Sequence, residues 1–383
     1  MIALDRLFSE WVPDLNFLVL SNGNALSDVG SALNLGSVEN IAVLAPYVVA
    51  PPLIGNLPFI FDLSAPEIVT NNDVVVINPQ LGTLRVMYRD MNKHHAVALT
   101  NRCNSRCVMC SQPPTEHQDD WMVEDARAVA RHLRSAPETI GLTGGEPLLL
   151  GADLRAVIDE FAQRGPETRI DVLTNGRLFA DKALATAILS NLTANVQWNI
   201  PLYGHVDYLH DFIVQRQGAF DQTINGLLSL HHHRQVVELR VVLLVPVLEH
   251  LRALCEFIAL NLPFVSHVAL MGVEPTGYAR ANRDLCEVDL SSWGSVLEES
   301  VLLLEHRGVR CILMNAPLCL IPKTLWRVAR QSISEWKNDY HKTCDGCSVM
   351  NECSGLFSSH KQGWLPGAIR PIVRKVNVEF QEN

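Results

Sequence analysis

The chain has 383 residues, 48% hydrophobic and 19% charged. That is enough apolar material for a large core, and it excludes global disorder. The net charge is −10, from 31 basic and 41 acidic residues. This balance argues against the broad basic footprint of a nucleic-acid binder. The length suits one large α/β barrel with additions at both ends.

The N-terminus, Met1–Arg6, lacks the basic and then apolar segments of a signal peptide. The longest apolar runs, such as Val241–Val247, fall far short of a membrane span of roughly 20 residues. A cytoplasmic chain without a membrane partner is expected. Ten cysteines in that compartment point to metal ligation rather than disulfides.

Residues 1–90 read as a separate β-rich region. Prolines between Ala45 and Pro58 keep helices there short or absent. Asp73–Ile77 and Thr83–Tyr88, joined by a turn rich in Asn, Pro and Gly, predict a β-hairpin. The region is read as a cap on the barrel, with substrate docking as the alternative. From His95 strands and helices alternate. Strands are predicted at His95–Thr100, Thr139–Thr143, Arg169–Thr174, Val196–Ile200, Val236–Val245 and His267–Met271. The helices between and after them are predicted at Val123–Leu133, Asp153–Gln163, Lys182–Leu189, Thr223–His231, Leu251–Ala259 and Ser292–Glu305. Six βα units with short connections predict parallel strands, right-handed crossovers and an open, partial (β/α)6 TIM-like barrel over residues 91–310. Its active site is expected at the C-terminal ends of the strands. A tail over 311–360 follows, with a strand at Cys311–Met314 and helical character from Leu325 to Trp336. Residues 361–383 read as a C-terminal extension.

Cys103, Cys107 and Cys110 stand on one short loop directly after the first barrel strand. A [4Fe–4S] cluster has four irons, so three thiolates leave one iron open. An open iron can chelate the amino and carboxylate groups of S-adenosylmethionine (SAM). Structural zinc, or three unrelated cysteines, are the plainer readings. At the end of the second strand stand Gly144, Gly145 and Glu146, where the glycines let backbone approach a ligand closely. A Gly-Gly pair alone reads as a tight turn. Asn175 follows the third strand, where a turn residue at positive φ is the plain reading. Cys344, Cys347 and Cys353 form a second group, with Asp345-Gly346 as a tight turn that lets two thiolates converge. Cys319 and Cys311 lie upstream of it. Four such cysteines close a site completely, for iron–sulfur or for zinc.

The cysteine loop with Gly144-Gly145-Glu146 one βα unit later resembles the radical SAM superfamily. The resemblance implies that Glu146 accepts from the SAM ammonium and that Met109 takes the place of an aromatic beside the adenine. It assigns Asn175 to a polar wall near SAM and Asn199 to the SAM ribose. Arg240 would meet the SAM carboxylate, with a plain strand-face arginine as the alternative. Glu274 would lie by the adenine or take a proton. The tail resembles the auxiliary-cluster extensions called SPASM or twitch domains, in the one-cluster form. Pro317-Leu318-Cys319 matches that pattern, so Cys319, Cys344, Cys347 and Cys353 would hold an auxiliary [4Fe–4S] cluster, with zinc as the rival.

Leu99–Pro114, Leu142–Leu148, Asn315–Cys319 and Ile333–Asn338 are also similar to the His-Xaa-Ser system radical SAM maturases (the HxsC type). That implies modification of a ribosomally made precursor peptide, a second radical SAM maturase as partner, and an electron donor such as flavodoxin or ferredoxin. A radical SAM enzyme acting on a small molecule, and a non-catalytic iron–sulfur or zinc scaffold, are the alternatives. Cys255 reads as core, and Cys286 as a loop thiol.

Overall fold

The computed structural model describes residues 2–7, 16–19, 41–45, 59–63, 73–78, 83–92, 94–331 and 338–373. The proline-rich segment 46–58, the hairpin turn 79–82, the stretch 332–337 and the end 374–383 lie outside the described residues. The chain forms two compact units. The first comprises Met1–Thr100, Gln118–Val172 and Leu192–Val196; the second holds the rest.

The first unit begins with β1 (Ile2–Leu7), β2 (Asn16–Val19), β3 (Ile41–Ala45), β4 (Phe59–Leu63), β5 (Val74–Asn78) and β6 (Thr83–Tyr88). They close a barrel in the order β1-β4-β3-β2-β5-β6. The expected hairpin is β5 against β6, antiparallel, with Val76 opposite Arg85. Arg85 pairs with Asp125, and its guanidinium lies 4.6 Å from the ring centroid of Trp121. A cation over an indole face gains from both charge and contact.

An eight-stranded parallel sheet carries the α/β fold. Its strands are β7 (His95–Ala98), β8 (Thr139–Thr143), β9 (Arg169–Leu173), β10 (Val196–Pro201), β11 (Val236–Val242), β12 (His267–Met271), β13 (Cys311–Met314) and β14 (Ala329–Arg330). They lie in sequence order from β7 to β14. The first six are the expected barrel strands and β13 is the strand expected at the start of the tail, here joined to the same sheet; β14 is the addition. Parallel strands are buried on both faces, so they read as apolar runs. Ile140 and Leu142 on β8 are fully buried, as are Val237, Leu239 and Val241 on β11.

The helices bury one stripe each. Helix Ala152–Arg164 buries Leu154, Val157, Ile158 and Phe161, spaced for one helical face. Helix Lys182–Leu189 starts where Asp181 accepts hydrogen bonds from the N–H groups of Ala183 and Leu184, at 2.8 and 3.3 Å. Two elements depart from expectation. Asp207–Val214 is a helix that the periodicity reading passed over. The helical character expected from Leu325 is replaced by a short 3-10 turn at Lys323–Leu325 and then strand β14, which pairs with β13. Pairing with an open sheet edge outweighs a weak local helical pattern there. Among the described residues, no helix is long and apolar enough to cross a membrane.

Phe161 is 1% exposed at the C-terminal end of its helix's buried stripe. Phe161→Ala should lower unfolding stability by about 3–5 kcal/mol, read as a lower urea midpoint.

Candidate active site

The cysteine loop, residues 101–117, has no regular structure of its own. It is held by backbone bonds to elements far along the chain. Arg106 N–H donates to Val214 O at 3.1 Å and Val108 N–H to Ile213 O at 2.9 Å, both at the end of helix Asp207–Val214. Tyr278 N–H donates to Cys110 O at 2.8 Å, and Asn282 Nδ2 to Val108 O at 2.8 Å. Within the loop, Cys110 N–H donates to Cys107 O at 3.0 Å. Cys103, Cys107 and Cys110 are all half-buried and free of disulfides.

Burial pushes the Cys107 thiol up to about 12, and neighbouring Cys103 and Cys110 push the same way. Burial also raises Cys110. Thiols placed like this keep their protons unless a cation replaces them, because like charges cannot be gathered in a dry site. Met109 beside them is buried, at 8% exposure. Tyr203 is a residue that sequence reasoning missed. It is buried, its phenol is raised by burial and then by Cys107 and Cys110, and its ring stacks on His210 at 5.8 Å. Its only sequence signal was its place just past a strand end. Cys286, expected in a loop, instead closes the single helical turn Arg283–Cys286 and is 1% exposed.

The glycine turn belongs to the first unit. Gly144 has φ +133°, and a Cβ there would stand 2.3 Å from the Thr100 carbonyl oxygen. Gly145 N–H donates to that same oxygen at 2.7 Å. The turn therefore needs glycine at Gly144 to meet the end of the neighbouring strand. Thr100 is itself buried, and its hydroxyl donates to Asp119 at 3.0 Å. Glu146 is fully buried, and its Oε1 accepts from Leu148 N–H at 2.9 Å, capping the short helix Pro147–Leu150.

The remaining expected contacts belong to the second unit. Asn175 Nδ2 donates to Asn104 Oδ1 at 2.6 Å, and Asn175 Oδ1 accepts from Arg177 N–H at 3.1 Å. Asn199 is 1% exposed; its Oδ1 accepts from Gln197, while its buried Nδ2 has no hydrogen-bond partner. A buried, unsatisfied amide is costly unless a ligand completes it. Arg240 Nε donates to Glu238 at 2.7 Å, and Glu238 also accepts from His267 at 2.8 Å and Gln197 at 3.0 Å. Burial alone would raise the Glu238 carboxyl, but the hydrogen bond from His267 and the charge of Arg240 hold it down to about 2. Glu274 lies just past β12, half-buried.

The tail gathers four cysteines. Cys319, Cys344, Cys347 and Cys353 line one open pocket of about 350 Å³. Cys353 Sγ accepts from the N–H groups of Leu318 and Gly355, at 3.3 and 3.4 Å. Cys347 Sγ accepts from Ile372 N–H at 3.4 Å. Burial raises Cys344 and Cys353, and the other cysteines of the pocket add to it. Cys311 lies elsewhere, buried on β13, where burial pushes its thiol well up. Among the described residues, no three His, Cys, Asp or Glu side chains converge at the spacing of a single metal ion.

A family model described as "Radical SAM superfamily" matches residues 97–258. That stretch, which holds the cysteine loop and the glycine turn, is thus similar to a radical SAM domain. A probable GTP 3',8-cyclase of Methanocella arvoryzae is 33% identical over 134 residues, 34% of this chain and 41% of that protein. A GTP 3',8-cyclase of Desulforamulus reducens is 29% identical over 194 residues, 47% of this chain and 55% of its own. The matches thus span about half the length of these curated relatives, or less. The solved structure "Native anSMEcpe with bound AdoMet and Cp18Cys peptide" superposes with a TM-score of 0.51 at 13% identity, covering 73% of this chain and 92% of that one. At that identity the likeness concerns the fold alone.

A radical SAM domain implies a [4Fe–4S] cluster and SAM, and the residues present fit both. Three half-buried thiols on one loop, two of them raised by burial, suit a metal cluster, and the Asn199 amide needs an acceptor. Cys103, Cys107 and Cys110 would hold the cluster.

Glu238 should make acid stability steep. A carboxylate held below its ordinary 4.5, at about 2, contributes stability that is present above the ordinary value and lost as pH falls towards the lower one. Urea midpoints of wild type and Glu238→Gln, measured from pH 7 downwards, should converge below about pH 4.5. A constant gap down to pH 3 would assign the difference to packing instead.

Proposed function

We propose that this chain is a radical SAM enzyme. The observation that carries the reading is the loop of three half-buried cysteines immediately after the first strand of the radical SAM domain. Cys103, Cys107 and Cys110 would hold the [4Fe–4S] cluster, whose remaining site would take SAM. When bound, the cluster and SAM supply reductive cleavage to a 5′-deoxyadenosyl radical, which takes a hydrogen atom from substrate. The chain's own residues bind and orient. Glu146 accepts from the SAM ammonium, and Arg240, fixed from one side by Glu238, presents its remaining N–H groups to the carboxylate. Asn199 Nδ2 donates to the ribose, and Asn175 and Glu274 complete the polar surround. Buried Met109 lies against the adenine.

For the substrate, a small molecule is the reading that the curated relatives support, since one is named a probable GTP 3',8-cyclase and the other a GTP 3',8-cyclase. A peptide substrate is the second reading. It is supported by the likeness of the cysteine loop and tail to the His-Xaa-Ser system maturases, and it brings a second maturase and a flavodoxin- or ferredoxin-like donor as partners. Both readings use the tail pocket. Four thiols around one cavity, two of them receiving backbone N–H groups at sulfur, support an auxiliary [4Fe–4S] cluster on Cys319, Cys344, Cys347 and Cys353. Backbone N–H groups aimed at cluster sulfurs tune such centres.

The reconstituted protein, under anaerobic reducing conditions, should convert SAM to 5′-deoxyadenosine, and Cys103→Ala should abolish this. Product formation by Cys103→Ala at the wild-type rate would overturn the assignment. Full reconstitution should give about eight irons per chain for two clusters, against about four with zinc in the tail. Incubation with GTP, and separately a mass shift on a co-expressed His-Xaa-Ser peptide, divide the two substrate readings.

A further inference from the structure

The turn after β9 does more than end a strand. Arg177 opens the short helix Arg177–Ala180 and is 5% exposed. Its Nη1 donates to the Asn104 carbonyl at 2.9 Å and to Ser105 Oγ at 2.8 Å. Its Nε and Nη2 donate to Gln222 Oε1 at 2.9 and 2.6 Å. Asn175, two residues before it, holds the Asn104 side chain as well. Asn104 and Ser105 lie between Cys103 and Cys107. One turn therefore grips the backbone and both side chains of the segment that sets the spacing of two cysteines.

The grip has a rigid base. Gln222 stands on helix Ala219–His232. At Gly226 of that helix a Cβ would come within 2.1 Å of the Gly176 carbonyl oxygen, so glycine lets the helix rest directly on the turn. Phe179, fully buried, meets Trp198 edge-on at 5.0 Å. A guanidinium is planar, permanently charged and forked, so it can bridge partners on two sides at once. A lysine offers one compact charge and cannot span both.

We propose that Arg177 is a positioning residue that holds Asn104 and Ser105 so that Cys103 and Cys107 are presented together before any cluster is bound. The inference rests on the reading of Cys103, Cys107 and Cys110 as cluster ligands.

The test reads the metal-free full chain first. Arg106 is 68% exposed within the loop, so trypsin reports whether the loop is ordered. Apo Arg177→Gln should be cut after Arg106 about tenfold faster than apo wild type, the effect of losing hydrogen bonds to a charged group. Its circular dichroism should stay that of wild type, and Arg177→Lys should fall between the two. On reconstitution, iron bound beyond that of the Cys103→Ala form should drop in the same order. If Arg177→Gln does not fold, the double variant Ser105→Ala/Gln222→Ala, which removes partners and keeps the arginine, decides on the same readouts. Cleavage rates and iron uptake equal to wild type in whichever variant folds would overturn the proposal. If wild type takes up no iron on these cysteines, the cluster reading falls and this inference with it.

Discussion

The constraint on which the site depends is the cost of gathering thiols away from water. Cys107 is so buried, and so close to Cys103 and Cys110, that its proton is held up to about 12. Cys107 beside Cys103 and Cys110 makes a poor resting arrangement and a good set of metal ligands. The loop that carries them makes no helix or strand to fix its shape. Its conformation is therefore imposed from outside by the end of helix Asp207–Val214, the segment 278–282 and the Arg177 turn. Each of these stands just past a strand of the parallel sheet or on the helix that follows one. The fold thus supplies what the loop lacks, a frame rigid enough to keep like groups together.

The same logic separates what sequence shows from what it hides. Cysteine spacing and the alternation of apolar runs with amphipathic stretches are local patterns, and from them the cysteine loop, the six strands and their helices can be read directly. Arg177 could not be found this way. It meets Ser105 across 72 positions, and an arginine after Asn-Gly carries no mark of burial. Helix Asp207–Val214 was hidden because it is short and follows a Pro-Leu-Tyr-Gly run that reads as loop. Gly144 was recognised as a close-approach position, but its protein neighbour was not. Its missing Cβ serves the Thr100 carbonyl, and nothing in a Gly-Gly pair says which neighbour comes close.

Arg240 shows how a strand residue can be prepared by its surroundings. Glu238, two positions earlier on the same strand, is 5% exposed and takes bonds from Arg240, His267 and Gln197. The carboxylate is expensive to bury alone and becomes stable only through these donors. In return it pins the guanidinium through Nε, which leaves the opposite edge oriented. A preset arginine loses less freedom on meeting an anion than a free one would.

The tail follows a different rule from the barrel. Residues 338–373 contain short 3-10 turns and a single isolated bridge, Asp339 with Leu356, as their regular structure. Such a segment buries few backbone hydrogen bonds in repeating ladders and has little core of its own. What it does have is convergence. Two cysteine sulfurs accept backbone N–H groups, Tyr340 OH donates to the Met350 and Cys353 carbonyls at 2.9 and 3.0 Å, and Lys361 pairs with Asp339 at 2.7 Å. Nearly all of these contacts point at, or brace, the walls of the cysteine pocket. The barrel braces its cysteine loop with contacts from its own elements, and the tail braces its cysteines with its own backbone N–H groups, aimed at the Cys347 and Cys353 sulfurs.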